Sequence, residues 1–120
     1  MKQKKQSKNY NAPAFDMGLD ILELLSNSSG GLTQAEIASQ LNKSVNEIYR
    51  MISTLRNREY VEFNAKTDVY NLSYKILNMA AKFEPVKTLT SRTIPLMKEI
   101  TIKTNQSIHL AIFTRGKILL

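Results

Sequence analysis

Two four-residue patterns constrain this chain more than any other feature: Thr33-Gln34-Ala35-Glu36 and Ser44-Val45-Asn46-Glu47. In each, a hydroxyl residue precedes a glutamate by three positions, so each side chain can satisfy an orphan backbone N–H of the other at the start of a helix. Such a cap contributes on the order of 1 kcal/mol, enough to fix where a short helix begins. The patterns predict one helix over 34–41 and another from Val45 to about Arg58. Asn42 falls between them, and asparagine tolerates the left-handed conformation that ends helices, so the chain can turn sharply there. A further helix, about 14–26, precedes the pair. Phe15, Leu19, Leu22 and Leu25 recur at helical spacing, Pro13 suits a first turn, and the run Ser26 to Gly31 breaks the pattern.

Behind the third helix, Tyr60-Val61-Glu62-Phe63 and Val69-Tyr70-Asn71-Leu72 are β-prone runs separated by a turn-forming stretch, Asn64 to Asp68. Three helices followed by a hairpin predict a winged helix-turn-helix over 13–73. The fold class expected is mostly α with a β-hairpin wing, α+β. Residues 74–88 read as a linker helix, with Ile76, Met79, Ala80 and Phe83 on one face as a helix-packing or dimer surface, until Pro85 biases Glu84 away from helical geometry. A helix over about 93–104 follows, with Pro95 in its first turn and Asn105 closing it. The alternation Ile108, Leu110, Ile112 predicts a strand, and Thr114-Arg115-Gly116-Lys117 the turn to a partner strand. Residues 89–120 thus resemble the beginning of a second domain. The hairpin stops inside its second strand, which leads us to expect a fragment, a truncated product or a chain completed by a partner.

The composition narrows the function. There is no cysteine among 120 residues, hence no disulfide framework and no cysteine-ligated zinc. No apolar run approaches a bilayer span and no signal-type segment follows the basic start, so a soluble, cytoplasmic protein with no membrane partner is expected. No glycine-rich phosphate loop or nucleophile constellation is present, and His109 has no acidic or cysteine partner at ligand spacing; neither an enzyme, a metal nor a cofactor is expected. The net charge of +7 fits a nucleic-acid partner, but it is unevenly placed. Lys2, Lys4, Lys5 and Lys8 make residues 1–12 a basic tail, either a solvated terminus or a DNA-tracking arm. Residues 13–73 set five basic groups (Lys43, Arg50, Arg56, Arg58, Lys66) against eight acidic ones, a net of −3.

The runs Leu19 to Leu25, Gly31-Leu32-Thr33, Glu36-Ile37-Ala38, Tyr49 to Leu55, Tyr60-Val61 and Tyr70-Asn71-Leu72 resemble, in order and spacing, the IclR-type transcription regulators of bacteria. The similarity continues through Ile76 to Ala80, Pro95 to Ile100 and Thr104 to Ile112, which look like the family's linker helix and the opening of its effector-binding domain. The resemblance implies a homodimer on double-stranded DNA, with the third helix in the major groove and the wing near the backbone, and two half-sites on a pseudo-palindrome. A small-molecule effector is implied only where a complete effector domain exists. The chain departs from the family where a basic residue, serine and threonine usually open the third helix: Val45-Asn46-Glu47 stand there. Met17-Gly18 replaces the usual Arg-Ala, and Glu59 replaces a glycine.

On the third helix the stripe Val45, Ile48, Ile52, Leu55 is expected to face the core, leaving Asn46, Glu47, Tyr49, Arg50 and Ser53 outward as DNA-binding candidates. Asn46 suits adenine, Arg50 suits guanine or a phosphate, and Glu47 suits the cytosine amino group, unless its capping role holds it. Tyr49 either contacts DNA or packs beside the stripe. Thr33, Gln34 and Ser44 lie at helix starts that approach phosphates in such folds, and Lys66 at the wing tip is a backbone contact or a solvated loop lysine. The rival expectation, favoured by the −3 of residues 13–73, is a winged helix used for protein association without DNA.

Overall fold

The computed structural model describes residues 10–119, so the four lysines of the basic tail lie outside the described residues. The described chain forms, in order, α1 (Pro13–Ser26), α2 (Gln34–Leu41), α3 (Val45–Asn57), β1 (Val61–Asn64), β2 (Val69–Leu72), α4 (Lys75–Lys82), α5 (Glu84–Thr104), β3 (Ile112–Thr114) and β4 (Lys117–Leu119). It divides into two compact units, with the boundary between Ile76 and Leu77.

The first unit is a winged helix built as the caps require. Thr33 Oγ1 accepts from the Glu36 backbone N–H at 3.2 Å while Glu36 Oε2 accepts from the Thr33 N–H at 2.9 Å, and Ser44 and Glu47 repeat the exchange one helix later. Asn42 takes the left-handed conformation between them, at φ 53° and ψ 48°. Helices α1, α2 and α3 pack around Ile21, Leu25, Ile37, Ala38, Ile48 and Ile52, and the wing closes the core with Val61 and Tyr70. Full burial of side chains of this size contributes roughly 1.5–3 kcal/mol each.

The wing is antiparallel, with Val61 paired to Leu72 and Asn64 to Val69. A third segment joins it: Leu32 and Tyr70 exchange both backbone hydrogen bonds, at 3.1 and 2.7 Å. That bridge ties the loop before α2 to β2, which thus lies between Leu32 and β1. Gly31 makes it possible, because its φ is +87° and a Cβ there would lie 2.7 Å from the Tyr70 carbonyl oxygen.

A clamp fixes the exit from the wing. Lys75 Nζ donates to the Arg58 carbonyl at 2.6 Å and lies 4.5 Å from the centre of the Tyr60 ring, while the Ser73 N–H donates to the Tyr60 carbonyl at 3.0 Å. The Ser73 hydroxyl donates to the Glu59 carbonyl. The chain therefore enters α4 with its first residues tied to the end of α3.

Three expectations need correction. Val45 is not in the core: as the first residue of α3 it is 49% exposed, and the stripe becomes buried only at Ile48, further into the helix. The helix expected over 93–104 begins at Glu84, with Pro85 in its first turn and Pro95 in its interior. Pro95 lacks the N–H that would reach back to Ser91, yet the helix continues, with Thr90 and Thr93 hydroxyls donating to the Val86 and Leu89 carbonyls at 2.9 and 2.6 Å just before it. The second unit otherwise consists of the short antiparallel hairpin β3–β4, with Ile112 opposite Leu119; residues 106–111 are irregular where a strand was expected to begin. None of its described residues is buried.

Candidate nucleic-acid interface

Helix α3 presents its polar face away from the core. Asn46, Glu47, Tyr49 and Arg50 are exposed, and Ser53 is half-buried at the edge of the same face. Arg50 has no ion-pair partner among the described residues, where the single salt bridge is Lys103 with Glu99. Tyr49 is 56% exposed.

Glu47 is committed locally. Its Oε2 accepts from both the backbone N–H and the hydroxyl of Ser44, each at 3.0 Å. These hydrogen bonds, the backbone one first, hold its carboxyl below the ordinary glutamate value, and Lys43 adds a smaller pull in the same direction. An anion is thereby fixed at the opening of α3.

Gln34 is likewise structural: its Nε2 donates to the Val45 carbonyl at 3.1 Å, bolting the start of α2 to the start of α3. Thr33 and Ser44 are caps. These three residues gather at one end of the helix pair, beside Asn46 and Glu47.

Of the five cations in 13–73, two are turned to the wing. Arg56 lies over the Phe63 ring at 5.2 Å and Arg58 near Tyr60 at 5.8 Å. Lys66 is exposed at the wing tip, its backbone N–H held by Asn64 Oδ1 at 3.0 Å. Lys43, in the turn between α2 and α3, is exposed beside Ser44, and the sequence reading passed over it. Its place directly before a capping serine, in the turn of a helix-turn-helix, is the signal that marks it.

Residues 15–65 match the IclR helix-turn-helix domain. The chain therefore carries an IclR-type helix-turn-helix domain. It is 29% identical over 106 residues to the HTH-type transcriptional regulator BhcR of Paracoccus denitrificans, an alignment covering 88% of this chain and 38% of that protein. The fold agrees with that of Pseudomonas aeruginosa HmgR at a TM-score of 0.73 and 21% identity, covering 89% of this chain and 46% of that one. Thermotoga maritima IclR gives 0.71 at 19% identity, covering 83% and 40%. The chain thus spans less than half the length of these relatives. Within the matched domain, the opening of α3 presents an exposed Val45 and a Glu47 occupied by its cap.

Proposed function

We propose that this chain binds operator DNA sequence-specifically, as a homodimer, through the exposed face of α3. The observation that supports the reading is the solvent-facing set Asn46, Tyr49 and Arg50 on the third helix of an IclR-type helix-turn-helix, with no intramolecular ion pair consuming Arg50 among the described residues. In this reading Arg50 pairs with guanine or a phosphate and Asn46 with adenine, and Ser53 reaches the groove edge. Lys66 and the Thr33 hydroxyl contact phosphates, which position the domain without reading sequence. Gln34 and Ser44 serve by holding α3, and Glu47 acts as a cap. The tail lysines add a sequence-independent attraction. The apolar side chains of α4, with Phe83 just beyond it, supply the dimer surface: Met79 and Phe83 are 52% and 61% exposed, Ala80 is exposed and Ile76 half-buried. Residues 74–88 then serve as linker and 89–120 as the opening of an effector-binding domain.

Duplex binding measured against salt tests the reading. Neutralised phosphates release counterions, so affinity falls steeply as salt rises, and Arg50→Ala weakens selected duplexes more than random ones. Absent or salt-indifferent duplex binding refutes it in favour of protein association, the reading to which the −3 of residues 13–73 points.

A further inference from the structure

We propose that Val45, extended by Tyr49 one turn beyond it, reads the 5-methyl group of a thymine in each half-site. The inference rests on the DNA-binding reading above and names the base edge that the opening of α3 selects.

A single exposed valine carries little information on most surfaces. Here its position does. Val45 is the first residue of α3, and in helix-turn-helix proteins the N-terminal residues of the recognition helix are the ones that meet base edges. It is 49% exposed, while Ile48 and Ile52 on the same helix are fully buried and fill the core without it. Its backbone is held in place from the neighbouring helix, since Gln34 Nε2 donates to its carbonyl at 3.1 Å. The side chain is therefore an apolar group presented on a fixed mount.

Residues four apart lie on one face of a helix, which puts the 56% exposed ring of Tyr49 beside Val45 as a continuous apolar strip. In the major groove, guanine, adenine and cytosine offer polar edges, and thymine alone offers a methyl group. A valine against a polar edge strips water from it and returns no hydrogen bond, whereas against the thymine methyl both partners lose apolar surface to water. Glu47, the neighbour best able to offer a polar alternative, has Oε2 engaged by Ser44. The strip thus selects thymine by attraction and disfavours the other bases by desolvation.

The full chain is used to select duplexes from a random pool, and each thymine of the selected site is then replaced singly by deoxyuridine, which removes only the methyl. Binding is read by fluorescence anisotropy for the wild type, Val45→Ala and Val45→Ile. The expected result is a loss of about fourfold at one thymine per half-site, the value of one buried methyl group. Val45→Ile keeps this dependence; Val45→Ala binds thymine and uracil duplexes equally, with an unchanged thermal melt because the side chain lies outside the core.

The proposal is overturned if the duplex is bound but no deoxyuridine weakens it, or if Val45→Ala retains the full methyl dependence. Val45→Ala that changes self-association and leaves duplex affinity intact assigns the strip to a protein partner and also overturns it. Absence of duplex binding under any salt removes the DNA reading itself, and the thymine contact with it.

Discussion

Glu59 shows how much a single backbone angle can matter. It occupies the turn from α3 to β1 at φ +66°, a left-handed conformation that a side chain with a Cβ adopts at a cost of roughly 1–2 kcal/mol. The resemblance to IclR-type regulators pointed to a glycine there. Glu59→Gly is accordingly expected to raise stability by about 1 kcal/mol in urea unfolding, part of the relieved strain being offset by the greater freedom of glycine in the unfolded chain. Glu47 supplies a second test. Its carboxyl is held below the ordinary value by the Ser44 hydrogen bonds. A depressed folded value means that the cap contributes fully above the ordinary carboxylate range and is lost as pH falls through the depressed one. Carboxyl carbon shifts followed by NMR are expected to place the Glu47 midpoint below that of an exposed glutamate, and Ser44→Ala is expected to return it upward. Asn42 and Asn105 were legible in the sequence because asparagine before a turn has few other uses, and both take the left-handed conformation. Val45 was misplaced because periodicity counts positions and does not say where along a helix the core begins; the stripe is buried at Ile48 and exposed at Val45, the first residue of the helix.

At the scale of elements, the helix starts were readable because each capping box is local, involving residues three apart. The bridge from Leu32 to Tyr70 was not, since it joins segments distant in sequence and leaves only Gly31 as its trace. Gly31→Ala combines a strained φ with a 2.7 Å approach to backbone oxygen, and is expected to cost about 2 kcal/mol or more and to detach the loop from β2. Amide exchange of Leu32 and Tyr70, whose N–H groups form the bridge, measures this directly; unchanged protection in the variant would contradict the assignment. Helix α5 was half legible. Pro85 and Pro95 both signal helix starts, and nothing in the spacing of apolar residues says which one is used, because the threonine-rich stretch between them is as compatible with a loop as with a helix whose hydroxyls return to its own carbonyls.

For the whole molecule, the positive charge lies, in sequence, outside the segment that carries α3. Residues 13–73 carry −3 and the first eight residues +4; the remaining excess comes from Lys75, Lys82, Lys87, Arg92, Lys98, Lys103, Arg115 and Lys117 against Glu84 and Glu99. Total charge was therefore a poor guide to the candidate interface, although it was plain in the composition. In the proposed function, deletion of residues 1–9 weakens selected and random duplexes by a similar factor and flattens the salt dependence, whereas Arg50→Ala changes the ratio between them. If the deletion abolishes all duplex binding while Arg50→Ala has no effect, α3 is not the reader. The paired capping boxes bear on this division. The amides at a helix start are where a phosphate group would settle, and here Glu36 and Glu47 already occupy the mouths of α2 and α3. In the proposed function, a domain that carries its own substitute anion grips an arbitrary stretch of duplex loosely. For a DNA reader the consequence is kinetic: short residence on wrong sequence, rapid sampling along the genome, and arrest only where base edges supply what the phosphates do not.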